Sequence, residues 1–154
     1  MEERSTFENF EMQLNETAKS FLKEIAKWAY FLSIVGYVGI GFMVLAALFF
    51  GSVIAGAGAM SGGGMGALGA MGGTFITVLY LIIALIYFFP VYYLNKFASN
   101  AKQAFRTDDT ESLTKSFEFL KSHYKFMGIF TIVFISFYIL IIVITMIGAA
   151  SSAF

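Results

Sequence analysis

WAYFLSIVGYVGIGFMVLAALFFGSVIAGAGAMSGGGMGALGAMGGTFITVLYLIIALIYFFPVYYLN, residues 28–95, runs for 68 residues without an Asp, Glu, Lys or Arg. A soluble domain does not stay uncharged for that long, whereas a bilayer span requires it. Drawn out as one helix the run would extend ~100 Å at about 1.5 Å per residue, over three times a hydrocarbon core. It must fold back. The obvious break is residues 51–73, where ten of 23 residues are glycine. Glycine costs about 1 kcal/mol relative to alanine in a helix interior. The expectation is therefore a glycine-rich loop at 51–73 joining spans at 28–50 and 74–94.

Outward from this run, all charged side chains fall within residues 2–27 and 96–125, and a second uncharged run occupies 126–154. It holds a third span, at 126–147, and leaves a short tail at 148–154. Lys19, Lys23 and Lys27 abut the first span, Lys96 follows the second, and Lys121 and Lys125 precede the third. Basic residues close to span ends are retained on the cytoplasmic side. Two crossings between the charged stretches satisfy all of them, and three would not. The expected layout has the N-terminus inside, the glycine loop outside, residues 95–125 inside and the C-terminus outside. Trp28, Tyr30, Tyr87, Tyr92, Tyr93 and Tyr124 sit at the inner ends, where amphipathic rings anchor spans. Pro90 would free the carbonyl of Ile86 and predicts a kink.

The charged stretches read as helices. Ser5 and Glu8 form a capping box. Phe7, Phe10, Leu14, Ala18, Phe21, Ile25 and Trp28 then share an arc of about 80°, with Lys19, Lys23 and Lys27 opposite. This predicts an amphipathic helix over 5–27, leading directly into the first span. Residues 95–125 predict a cytoplasmic helical hairpin. Leu94, Phe97, Ala98, Ala101, Ala104 and Phe105 make one apolar stripe. Asp108 would cap the next helix with Glu111 three residues on. In that helix Leu113, Phe117, Leu120, Tyr124 and Met127 alternate at four and three residues, the spacing of a packed seam. Glu111 and Lys115 form a favourably ordered i,i+4 pair. The arm carries four bases and six acids, and the 96–125 stretch six bases and four acids. That complementarity leaves two fates for the arm: packing on the hairpin, or lying in the headgroups.

Chemistry is harder to find. Formal net charge is zero, so no bulk field argues for nucleic acid. Cysteine is absent, which removes disulfides, thiolate metal sites and cysteine nucleophiles. A-x-A spacing at Ala55, Ala57 and Ala59 mimics a cleavage site, yet the long acidic arm and extended apolar run do not fit a signal peptide. No carboxylate, lysine or histidine lies within residues 28–95 to support proton-coupled transport. His123 is the only histidine and has no neighbouring nucleophile or ligand set, so it reads as an interfacial polar residue. Asp108 and Asp109 read as turn and cap residues. No catalytic residue, cofactor site, small-molecule substrate or metal site is expected. Met60, Met65 and Met71 are too loosely spaced, without His or Cys, to make a soft-metal site.

Gly58, Gly62, Gly66 and Ala70 recur every four residues, as small-xxx-small helix contacts do. That leaves a self-assembling, holin-like pore as the second functional reading.

Three strings together look familiar: KWAYFLSIVGYVGIGFMVL at 27–45, ALIYFFPVYYLNKF at 84–97 and LKSHYKFMGI at 120–129. On them, across about residues 20–147, the chain resembles a family of small bacterial multi-pass membrane proteins catalogued as a domain of unknown function. The resemblance implies a protein of the bacterial cytoplasmic membrane with this helix layout, and it brings no established activity. The expected fold is all-α, one integral membrane domain over 1–154 with three transmembrane helices, the amphipathic N-terminal helix and the cytoplasmic hairpin. The expected role is a non-enzymatic accessory, scaffold or membrane-organising component. Its expected partners are the lipid bilayer and either copies of itself or other membrane proteins.

Overall fold

The computed structural model describes residues 16–60 and 63–151, and Phe7, Phe10, Leu14 and Gly62 lie outside them. The described residues form three helices: α1 (Glu16–Met60), α2 (Gly63–Thr107) and α3 (Thr110–Ser151). Each is long and apolar enough to cross a membrane. At 45, 45 and 42 residues they extend about 63–68 Å, twice the thickness of a hydrocarbon core. The helices therefore continue beyond the expected spans, 28–50 and 74–94, at both ends of the α1–α2 pair.

α2 is the central element. It packs on α1 along its length and on α3 over its C-terminal half, while the α1 and α3 backbones stay apart among the described residues. The face of α1 turned to α2 runs Leu22, Ala26, Ala29, Ser33, Gly36 and on to Ala47 and Gly51. These positions recur at four and three residues, the interval of a two-helix seam. Nearly all are small, so the helices approach closely and gain packing from backbone atoms as well as side chains. The opposite face is large and apolar. Phe42, Phe49 and Leu45 are more than 60% exposed, the reverse of a soluble helix pair.

The glycine-rich stretch departs from expectation. Residues 51–60 continue α1 and 63–73 begin α2, so the expected 51–73 loop is helical in its described residues. The reason lies in packing. A Cβ on Gly58 would overlap the Gly69 backbone, and one on Gly51 would overlap the Thr77 hydroxyl. A Cβ on Gly73 would lie 2.8 Å from the Ala55 nitrogen. Close helix–helix approach at these sites offsets the intrinsic penalty that argued for a loop.

The turn between α2 and α3 is short and fully specified. Asp108 takes a left-handed backbone (φ 49°) and Asp109 N donates to Ala104 O (3.2 Å), a Schellman end to α2. Asp109, not the expected Asp108, caps α3. Its carboxylate accepts from the Glu111 and Ser112 nitrogens (3.0 and 3.2 Å) and from the Ser112 hydroxyl (2.6 Å). Those bonds, the Ser112 hydroxyl foremost, hold the Asp109 carboxyl below the usual carboxylate range. Asp108 could not cap because its backbone is spent closing α2. The Glu111–Lys115 pair forms as expected, at 2.6 Å.

At this end α1 and α2 share a small core. Phe97, fully buried, sits among Leu22, Ala26, Ala29, Ala98 and Ala101, with Leu94, Phe105, Leu113, Phe119 and Leu120 around it. Beyond Phe130, by contrast, α3 is exposed on every side through residue 148.

Candidate functional site

Three polar clamps tie the helices at successive levels. Asn95 Nδ2 donates to Ser33 Oγ (2.9 Å), and the fully buried Ser33 hydroxyl donates to Tyr30 O (2.7 Å). Nearer the glycine end, Thr77 Oγ1 lies 3.2 Å from Ala47 O on α1 and 3.0 Å from Gly73 O on its own helix. The third clamp joins α2 to α3, where His123 Nδ1 meets the carbonyl of Pro90 at 2.8 Å. A carbonyl only accepts, so Nδ1 carries the hydrogen in this arrangement. Each clamp gives a polar group in an apolar stretch a partner, which such a group needs away from water.

The Ser33–Asn95 clamp makes a direct prediction. A double-mutant cycle with Ser33→Ala and Asn95→Leu, read by unfolding in mixed micelles, should give a coupling of about 0.6–1.7 kcal/mol. A coupling of zero would show that the bond does not hold α1 to α2.

Around Pro90 the clamp is reinforced by rings. Phe89 stacks on Phe126 (6.1 Å, 28°), Phe126 on Phe130 (6.4 Å, 8°), and Tyr87 meets Phe130 edge-on (6.4 Å, 73°). Pro90 is buried, and it lines a small gap with Ile86, Tyr87, Phe126, Met127 and Phe130. α2 continues through it as one helix. Its place in the fold is the α2–α3 contact.

The structure distributes the other sequence candidates unevenly. Phe21, Ile25 and Trp28 are 60%, 51% and 61% exposed, and so are not the face that α1 packs with. The packed face lies one residue round, at Leu22, Ala26, Ala29 and Ser33. Phe21, Ile25 and Trp28 instead line an open groove of about 520 Å³, whose far wall is Leu120 and Tyr124 of α3. On α3 the seam expected through Leu113, Phe117, Leu120 and Tyr124 is likewise rotated. Ser112 and Ser116 are buried, Leu113 and Leu120 flank the core, and Phe117 and Tyr124 are exposed. The small serines satisfy their hydroxyls locally, Ser116 on Leu113 O at 2.6 Å. That lets the helices approach where large rings would hold them apart. Gly58 packs on Gly69, whereas Gly66 is only in ordinary contact with Gly58 O (3.6 Å).

Sequence reading missed Gly36, whose added Cβ would lie 2.7 Å from Val91 Cγ2, and the Ser33–Asn95 and His123–Pro90 pairs. The recurrence of Ala, Ser and Gly along residues 26–58 was the available signal for the first; nothing local marked the pairs. In the α3 span the hydroxyls of Thr131, Ser136 and Thr145 donate to carbonyls of their own helix. Among the described residues no three His, Asp or Glu side chains come together as metal ligands do.

At the Lys-rich end, α1 and α2 flank a cleft of about 480 Å³ lined by Lys23, Ala26, Lys27, Tyr30, Lys102, Phe105 and Arg106. No α3 residue contributes, so it opens on the flank of the pair away from the α3 groove.

A family model described as a family of unknown function (DUF5362) matches residues 54–146. No curated protein and no solved structure matches the chain.

Proposed function

The chain belongs to this family of unknown function, and from that premise we propose a non-enzymatic, three-span membrane protein that acts as a scaffold or organising component of a membrane assembly. In this reading it lies in the bacterial cytoplasmic membrane, with the α2–α3 turn and the start of α1 inside and the C-terminus outside. The lysines of the α1 start and the α2–α3 end support that orientation. The polar side chains that could have carried chemistry support the non-enzymatic part. Ser33, Thr77, Asn95 and His123 are each engaged in holding helices together.

One observation carries the scaffold reading. Over residues 131–147 α3 is exposed on every side, with Ile132, Phe134, Tyr138 and Met146 all more than 60% exposed. A span bound on no side by its own chain is free to pack against another protein's span. Within the chain, Gly51, Gly58, Gly69 and Gly73 face one another across α1–α2. They are thereby occupied by the fold, which favours the scaffold over a glycine-lined pore.

The test places a photo-crosslinking residue at Phe134 or Tyr138, and for comparison at Phe42 of α1, in the native membrane. Scaffolding predicts discrete heteromeric adducts from α3 and only lipid adducts from Phe42. Lipid adducts alone from α3, together with conductance in planar bilayers, would overturn it. The orientation is checked separately: an impermeant amine reagent outside intact spheroplasts should leave Lys102 and Lys115 unlabelled.

A further inference from the structure

We propose that the Lys-rich cleft between α1 and α2 is a binding site for the headgroup of an anionic phospholipid of the inner leaflet. The proposal rests on the membrane reading above and adds a ligand to it. Four cations, Lys23, Lys27, Lys102 and Arg106, line one cleft, and no carboxylate lines it with them. None of the four forms an ion pair among the described residues, where the pairs are Lys19–Glu16 and Lys115–Glu111. Glu16 acts on Lys23 from a distance, and Glu24 lines the neighbouring pocket with Lys23 and Lys27 rather than this cleft. Four like charges lining one cleft that holds no carboxylate repel one another, and an anion seated among them relieves that repulsion.

The side chains are also held in place. Lys23 Nζ lies 5.3 Å from the Phe105 ring centroid, and Lys102 Nζ lies 5.7 Å from that of Tyr30. Each stacking contact crosses from one helix to the other, so the ammonium groups are drawn over the cleft rather than left to sweep through solvent. Ala26, 5% exposed, keeps the floor shallow.

Depth selects the lipid over a dissolved anion. Trp28 opens the uncharged run, so the cleft straddles the boundary between charged and uncharged α1, at headgroup level. Tyr30 forms its deeper side, and one turn further in α1 presents Ile34, 45% exposed, against which acyl chains can lie. Basic pockets between spans at the cytoplasmic face are suited to such headgroups, whose phosphate takes charge-assisted bonds from Lys and Arg.

The only tryptophan of the chain, Trp28, sits beside Lys27 and serves as reporter. The full-length protein is placed in phosphatidylcholine vesicles containing a minority of phosphatidylglycerol, with bromine quenchers on one lipid or the other. The wild type should show stronger quenching by brominated phosphatidylglycerol than its share of the lipid predicts. The triple variant Lys23→Gln, Lys102→Gln, Arg106→Gln should lower that preference by about tenfold or more. A charge-matched variant at Lys96, Lys115 and Lys121 should keep it.

Equal loss in both variants would mean diffuse attraction and overturn the site. So would abolition of the preference by inorganic phosphate, which would assign the cleft to a soluble anion. A preference that emerges only after Glu2, Glu3, Glu8 and Glu11 are changed to Gln would assign the cleft to the chain's own acidic arm. Entry into neutral vesicles without any preference would sink the site alone, whereas failure to enter any bilayer would sink the membrane reading with it. A cysteine crosslink between residues 54 and 72, where an added Cβ on Gly72 meets only the Ile54 side chain at 3.9 Å, reports that each variant retains the α1–α2 pairing.

Discussion

Leucine at Gly69 is expected to drive the glycine-rich ends of α1 and α2 apart. Even a single Cβ at this position would overlap the backbone of Gly58, and Gly69 and Gly58 each stand where the other's side chain would be. The obstruction is backbone on both sides, so no rotamer change relieves it and the helices themselves must separate. Separation also stretches the Thr77–Ala47 contact, 3.2 Å in the native pairing. Overpacking of this kind costs about 1–3 kcal/mol, and more where the backbone cannot yield. The expected result is loss of the 54–72 cysteine crosslink together with a lowered unfolding midpoint in mixed micelles.

Gly56→Leu and Gly64→Leu are the controls. Nothing lies within 4 Å of a Cβ at either position. Each should be neutral or gain the roughly 0.5–1 kcal/mol that a helix recovers when an exposed glycine is replaced. If Gly69→Leu behaves like these controls, close approach does not explain why a glycine-rich segment is helical.

The second large effect is expected at Phe97. It is the largest fully buried side chain among the described residues, and the alanines around it at 26, 29, 98 and 101 leave it to fill the space between the helices. Phe97→Ala removes the one ring among the buried residues of this core. Core Phe→Ala changes cost about 3–5 kcal/mol, and the value here should fall in that range if the site cannot collapse. Phe97→Leu, which keeps most of the volume, should cost less than about 1.5 kcal/mol. Unfolding titrations of the two variants decide the matter. Equal small losses from both would mean that the groove beside Phe97 closes over the vacancy and that the ring is not what holds this end together.

The two predictions concern opposite ends of one helix pair and opposite solutions to helix packing. At the glycine end the backbones touch and nothing fills the space between them. At the lysine end alanines bring the helices near and a single ring occupies what remains. Polar clamps lie between the two, where Asn95 meets Ser33 and Thr77 meets Ala47. α3 joins only the lower half of this pair, through His123 and the stack of Phe89, Phe126 and Phe130.

Much of this is legible in the amino-acid sequence itself. Uncharged runs at 28–95 and 126–154 specify three apolar helices, because the absence of charge over such lengths has one physical reading. The Glu111–Lys115 pair was also legible, since it depends only on residues four apart. The turn was legible to within one residue. Choosing Asp109 over Asp108 as the cap required knowing that Asp108 adopts the left-handed conformation that ends α2.

What the sequence determined by itself is thus the number of apolar helices and the confinement of every charge to their Lys-rich ends, since hydropathy and charge are summed locally along the chain. Tertiary structure alone decided which face of each helix is covered, and that residues 51–60 and 63–73 are helical rather than a loop. Glycine lowers helix stability when judged on its own. It raises stability when a second backbone lies against it, and whether one does depends on residues such as Gly69 of α2 meeting Gly58 of α1.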